Sequence, residues 1–303
     1  MSETTTPQRK KRVIELDDVL AKVKDGMTIG IGGFINSSHP MLVVRGLIKR
    51  GVKNLTVVGP ASSGLEIDLL IAAGVARKIV APYVGGEVLA PIGPAFRAAA
   101  ERGKIEVFEL DEAMYYAGLR AAAQRVPFNP WRSGVGTSFA EMNPAIKEFK
   151  DPLNGETLLA IPAINIDIAF LHAAVSDAYG NVQYIGHGYG DRAIYAAADE
   201  TYVQVEQVVS NEQIKADPLR TAIPGADGII RAKFGAHPYA SPGHYIEDQA
   251  HIKQYVRAAT AWAKSDDFAP LKAYLDEFVT GPKDHAEYLQ DVGMRRLLSL
   301  NEY

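Results

Sequence analysis

Cysteine is absent from this chain of 303 residues. That excludes disulfides, thiolate metal sites and a cysteine nucleophile, and it suits a reducing cytoplasm. Charge imbalance is nearly absent too. Lys and Arg number 32 against 36 Asp and Glu, a net −4 at pH 7, which argues against a broad basic face for nucleic acid. No apolar run reaches the roughly 18 residues a spanning helix needs, so no membrane segment is expected. The opening Met1–Arg12 has no apolar core behind its Lys10, Lys11 and Arg12, so it reads as a loose tail rather than a secretory signal. The seven histidines (39, 172, 187, 237, 244, 251 and 285) show no metal-binding spacing, and no metal site is expected. A Gly-x-Ser-x-Gly elbow is missing, which removes lipase-like hydrolysis. Gly30-x-Gly32-Gly33 lacks the third glycine of the dinucleotide fingerprint.

What remains is a soluble-type balance of 47% hydrophobic and 22% charged residues, enough for a large core. Strand-like apolar runs alternate with helix-like ones. Leu16 to Val23 places Leu16, Val19, Leu20 and Val23 on one helical face, and Asp25-Gly26 stops it. Met27 to Ile31 reads as a buried strand, Pro40 to Arg50 as a helix, and Leu55 to Val58 as a strand. The same alternation continues through Glu66 to Ala73, Lys78 to Val80, Pro94 to Arg102, Ile105 to Leu110 and Glu112 to Gln124. Thr157 to Ile161, Ile166 to Leu171, Val182 to Tyr184 and Tyr202 to Val209 read as strands, Arg192 to Ala198 as a helix, and the pattern turns helical from Ile246. Continuous apolar strands separated by helices predict an α/β fold: an open, mostly parallel sheet with helices on both faces and a helical C-terminal region. A single domain over residues 13–303 is expected.

Four segments can carry chemistry. The first, Asp25 to Pro40, carries Gly32-Gly33-Phe34-Ile35-Asn36-Ser37-Ser38 between the Met27 to Ile31 strand and a helix beginning near Pro40. Parallel sheets bind ligands at such strand ends, glycine admits close approach, and a helix N-terminus offers N–H donors to an anion. The second, Tyr83-Val84-Gly85-Gly86-Glu87, sets a carboxylate on a glycine loop where it can do acid–base work or remain solvated. In the third, Asp111 suits an N-cap and Glu112 the first turn of a helix, a structural role that explains both acids. The fourth, Trp131-Arg132-Ser133-Gly134-Val135-Gly136-Thr137-Ser138, sets an arginine beside a glycine loop, either a carboxylate or phosphate clamp or a surface charge. His187 and His237 lie in glycine-containing loops, whereas His172 at a strand end suits packing.

These residues resemble family I coenzyme A transferases. Asp25, Gly26, Gly32, Gly33, Phe34 and Pro40 match the family's opening signature, with Ser38 where a further glycine recurs. The Tyr83–Glu87 loop is similar to a family Val-Gly-Glu-Asn loop with one glycine added, and Gly134-Val135-Gly136-Thr137 resembles another family segment. Ser210-Asn211-Glu212-Gln213-Ile214, Gly235-Ala236-His237-Pro238 and Asp284-His285-Ala286-Glu287-Tyr288-Leu289 resemble the A (alpha) subunit of the glutaconate type. The likeness runs from about Leu16 to the end.

The resemblance implies transfer of CoA from an acyl-CoA to a carboxylic acid through a glutamyl-CoA thioester. In this family that glutamate sits in a Ser-Glu-Asn-Gly motif on the B subunit, and the motif is missing here. The chain is therefore expected to need a B partner, in an A2B2 heterotetramer, with CoA as substrate and no permanently bound cofactor, nucleic acid or membrane. Gly32, Gly33, Phe34, Asn36, Ser38, Gly85, Gly86, Glu87, Arg132 and Gly134 are the expected substrate-binding residues. Glu112 is the candidate catalytic residue, at a position where many members carry Gln. An acid at Glu112 with Arg132 also resembles relatives that decarboxylate acyl-CoA esters or open a ring hydrolytically, which keeps acid/base chemistry by Glu112 as the alternative. A metabolite-binding regulator is a third reading, disfavoured by the missing DNA-binding helical module.

Overall fold

A computed structural model describes residues 9–301. The first half runs α1 (Leu16–Leu20), β1 (Thr28–Ile31), α2 (Met41–Arg50), β2 (Leu55–Val58), β3 (Ser62–Ser63), α3 (Leu65–Ala72), β4 (Ala76–Val80), β5 (Tyr83–Val84), α4 (Pro94–Glu101), β6 (Glu106–Val107) and α5 (Glu112–Ala123). Next come β7 (Phe128–Trp131), α6 (Phe139–Met142), β8 (Lys147–Lys150) and β9 (Thr157–Pro162). The second half adds β10 (Ile166–Asp177), β11 (Asn181–Gln183), α7 (Asp191–Ala197), β12 (Ala198–Val209), α8 (Asn211–Ala216), β13 (Thr221–Pro224) and β14 (Gly228–Arg231). Helices α9 (Gln249–Ser265), α10 (Ala269–Leu275), α11 (His285–Val292) and α12 (Met294–Leu298) close the chain, with a π-helical turn over Asp276–Thr280.

Local chemistry sets the helix ends. Asp111 accepts the Met114 N–H at 2.7 Å and starts α5. Ser210 and Gln213 form a reciprocal capping box on α8. Asp248 and Asp284 cap α9 and α11 through the N–H groups of His251 and Glu287. Gly51, at φ 72°, ends α2 in the left-handed region.

Seven strands pair in parallel in the order β14-β12-β10-β1-β2-β4-β6. Alternation along β10 feeds both faces: Ile168 and Phe170 join the cluster under α2, α3, α4 and α9, while Ala169 and Leu171 join the one under α5 and α7. Both faces are covered, so buried apolar residues line both sides of the central strands, as the parallel reading requires, although β10 and β12 also bury polar groups such as His172, Gln204 and Glu206. At Gly30 an added Cβ would lie 2.9 Å from Ile194, so α7 packs directly on β1.

Two expectations need correction. Thr157 to Ile161 does form a strand, but outside the parallel sheet: β9 pairs antiparallel with β7 and β8 in a separate three-stranded sheet. Val182 lies in β11, which pairs antiparallel with the end of β10 and with β13. β10 spans 12 residues, so its beginning pairs with β1 and its end with β11. Of the expected tail, Met1–Gln8 lie outside the described residues. Arg12 is anchored, its N–H donating to Ala178 O at 2.8 Å and its guanidinium to Gly225 O and Ala226 O. Among the described residues no helix is long and apolar enough to cross a membrane.

Candidate active site

The chain leaves β1 in two directions. It builds β2, β4 and β6 outward on one side, and returns through β10 to build β12 and β14 on the other. The switch point therefore lies between β1 and β10, where open parallel sheets place ligand crevices. The Gly32–Ser38 loop leaves β1 at this point.

Buried groups clamp the loop. The Gly32 N–H donates to Phe170 O at 2.9 Å, and the Gly33 N–H donates to Asp191 Oδ1 at 2.9 Å. A Cβ on Gly32 would sit 2.5 Å from Leu171 and 2.7 Å from Asp191, and one on Gly33 would sit 2.4 Å from His39. Glycine is required by proximity at both positions, and at Gly33 also by its φ of 112°. Ser38 takes φ 61°, the left-handed conformation that favours glycine. Its N–H is tied to Ala240 O at 2.8 Å.

Burial perturbs the acids and the histidine beneath the loop. Asp191 accepts the Tyr184 hydroxyl at 2.6 Å as well as the Gly33 N–H. Those donors pull its pKa down, but burial dominates and pushes it up to about 7. His39 Nδ1 lies 3.0 Å from Gly32 O, and its Nε2 lies 3.3 Å from Glu66 Oε2. Burial raises Glu66 to about 8 and lowers His39 to about 4, so both are neutral at pH 7. His39 Nε2 also lies 2.9 Å from Ile35 O, and Glu66 Oε2 has no hydrogen-bond partner among the described residues.

The expected anion cradle at the start of α2 is closed. Met41, Leu42 and Val43 N–H groups donate to His39 O, Gly235 O and Gln204 Oε1. Gly32, Gly33, Phe34, Ile35, Ser37 and Ser38 also spend their N–H groups within the protein. Asn36 is the exception: its N–H has no partner among the described residues, and its buried side-chain Oδ1 has none either. Asn36 lines a cleft of about 730 Å³ together with Phe34, Ser37, Glu87 and the 240–249 segment.

The other predicted residues divide into two groups. Glu87, at φ 47° and held by Tyr83 Oη through its N–H at 3.2 Å, shares this cleft. Gly85 and Gly86 bring it there, their N–H groups bonding Ser63 O and Ala90 O. Phe34 stacks on Tyr189 with ring centres 4.6 Å apart. Glu112 is exposed in the first turn of α5, outside the residues lining the cleft. Its charge and that of Asp191 both push the Tyr116 phenol up, although burial is the larger cause. Gly134 lies over the same turn, where a Cβ would meet Met114 at 2.5 Å. The Arg132 guanidinium is not paired with Glu112. It donates to Glu156 at 2.7 Å, and its side chain is 78% exposed.

Asp191, Tyr184 and Tyr189 are site residues that the strand-end reading did not reach. Their signal was a second glycine-rich turn, Gly186-His187-Gly188-Tyr189-Gly190, opening α7 just as the first loop opens α2.

Similarity to known proteins follows this geometry. The family model for coenzyme A transferase matches residues 13–227. A cholesterol ring-cleaving hydrolase IpdA subunit from Rhodococcus jostii is 36% identical over 92% of the chain and 98% of its own length. The A subunit of glutaconate CoA-transferase from Acidaminococcus fermentans is 30% identical over 95% of the chain and 94% of its own length. An uncharacterized Archaeoglobus fulgidus protein is 34% identical over 92% of the chain, which spans 63% of that longer protein. Among solved structures, glutaconate coenzyme A-transferase from A. fermentans superposes with TM-score 0.88 at 28% identity, covering 96% of each chain. The decarboxylase AibA/AibB superposes with TM-score 0.74 at 26% identity, covering 88% of this chain and all of the other.

Proposed function

The chain belongs to the coenzyme A transferase family, and on that premise we propose that it is the A subunit of a heteromeric enzyme that moves CoA between an acyl-CoA and a carboxylic acid. The observation that carries the reading is Asn36: in a loop whose other N–H groups are bonded within the protein, it holds a free N–H and an unpartnered side-chain oxygen at the switch point. The N–H suits a substrate carbonyl or carboxylate oxygen, and Oδ1 can accept from a substrate N–H or O–H. Asp191, through the Gly33 N–H, and His39, against Gly32 O and Ile35 O, tie the loop down, which reduces the ordering cost of binding.

In this reading the attacking carboxylate comes from a B subunit. Its oxygen bonds to the thioester carbonyl carbon, the C–S bond breaks, and CoA thiolate leaves an acyl anhydride. The thiolate then bonds to the glutamyl carbonyl carbon and expels the first carboxylate, leaving an enzyme-CoA thioester. A second carboxylate reverses the sequence. This chain contributes the loop wall and the Phe34–Tyr189 stack, not the nucleophile. An A2B2 assembly in the cytoplasm belongs to the same proposal.

One observation favours a second reading. Glu112 is an accessible carboxylate beside Tyr116, and the Rhodococcus hydrolase subunit is a 36% identical relative. On that reading Glu112 acts as acid or base on a CoA ester. The test is Glu112→Gln in the chain copurified with its B subunit. Transfer predicts less than about tenfold loss of kcat/KM for CoA exchange. Acid–base chemistry predicts loss of about 10² to 10⁴, together with release of CO2 or ring opening instead of exchange.

A further inference from the structure

A second cavity, of about 670 Å³, lies between α1, α2, β14 and the Phe278–Tyr288 stretch, and shares no residue with the switch-point cleft. Leu20, Leu42 and Phe278 give it an apolar wall, and Arg45, Lys49, Arg50, Arg231 and Lys283 give it a cationic one. Glu15, Asp17 and Asp284 are its acids, so cations outnumber them. Asp284 is already engaged as the cap of α11.

Arg45 is the informative member. It is 7% exposed, yet no carboxylate among the described residues forms an ion pair with it. Nη1 donates to His237 O at 2.9 Å, and Nη2 lies 3.4 Å from His285 Nδ1. The guanidinium carbon stands 3.7 Å from the centre of the Tyr288 ring. His285 supplies no negative charge: its Nε2 lies 2.7 Å from Lys233 O, which fixes the tautomer, and burial lowers its pKa to about 4. A carbonyl and a ring face position the cation without neutralising it, and buried charges are normally paired. Arg50 and Arg231 also have no ion-pair partner among the described residues, and they line the same space.

We propose that this cavity binds an amphipathic oxyanion, whose carboxylate or phosphate head supplies the charge that Arg45 lacks while its apolar body covers the Leu20–Leu42–Phe278 wall. The volume is that of a small-molecule pocket, and a planar guanidinium fits either head group with two parallel hydrogen bonds. The inference is independent of the transfer reading.

Calorimetric titration of the full chain with octanoate, octyl phosphate, 1-octanol and inorganic phosphate tests it. At least one of the two octyl anions should bind tenfold or more tightly than both octanol and inorganic phosphate, and which one does so identifies the head group. Arg50→Met/Arg231→Met, which breaks no hydrogen bond, should weaken that binding at least fivefold while the melting temperature holds. Arg45→Met should abolish it. Octanol or inorganic phosphate binding as tightly as the tighter of the two octyl anions, absence of binding, or binding unchanged in the Arg50/Arg231 variant would each overturn the proposal.

Discussion

Replacing Asp191 tests whether a buried carboxyl fixes the glycine loop. Asp191→Ala leaves two buried donors, the Gly33 N–H and the Tyr184 hydroxyl, without their acceptor. Each orphaned group costs about 1–3 kcal/mol, so a loss on the order of 4 kcal/mol is expected. Asp191→Asn keeps an acceptor for Gly33, and its amide can donate to the Tyr184 oxygen, so about 1 kcal/mol is expected. The pH dependence is the sharper readout. Folded Asp191 holds its proton until about pH 7, whereas the unfolded chain releases it near 4. Between those values folding takes up a proton, so this group's contribution to stability falls as pH rises from about 4 to about 7, then levels off. At about 1.4 kcal/mol per pKa unit the change is on the order of 4 kcal/mol. Asn cannot ionise and should not show it. Urea midpoints of the wild-type chain and Asp191→Asn, measured between pH 4.5 and 8, should therefore converge or cross as pH rises. Parallel curves across that window would refute the burial argument.

Two further outcomes follow from the same contacts. Asn36→Ala removes a side chain with no partner among the described residues, so the melting temperature should stay within about 1 °C while kcat/KM with the B subunit falls about tenfold, the worth of one hydrogen bond. An unchanged kcat/KM would remove Asn36 from the site. Ser210→Ala deletes the α8 capping box and should cost about 1 kcal/mol, lowering the melting temperature but leaving turnover intact, so lost turnover without lost stability would contradict a purely structural Ser210.

The sheet was legible because its central strands are buried on both faces and carry dense apolar runs, such as Ile168–Leu171 in β10. β7 and β8 were not. Phe128–Trp131 contains Pro130, and Lys147–Lys150 is charged at three of four positions, so neither presents an apolar strand pattern. Their pairing depends on β9, which local periodicity cannot assign to a particular sheet. The double pairing of β10 was hidden for the same reason. At the site, the glycine pair after β1 was visible, but its cause lay 158 residues away in Asp191. The anion cradle expected at α2 failed because Gly235 O and Gln204 come from distant segments to occupy its donors. Arg132 and Glu112 looked like partners in sequence, yet Glu156, across the small sheet, takes the guanidinium.

The central claim is that this polypeptide builds one wall of a shared site while a different subunit supplies the attacking carboxylate. Intact-mass spectrometry of the copurified subunits after brief exposure to acyl-CoA, quenched in acid, tests it directly. The mass of one CoA, added through a thioester, should appear on the B subunit and never on this chain. A CoA adduct on this chain, or turnover by this chain alone at the full rate of the pair, would contradict the account.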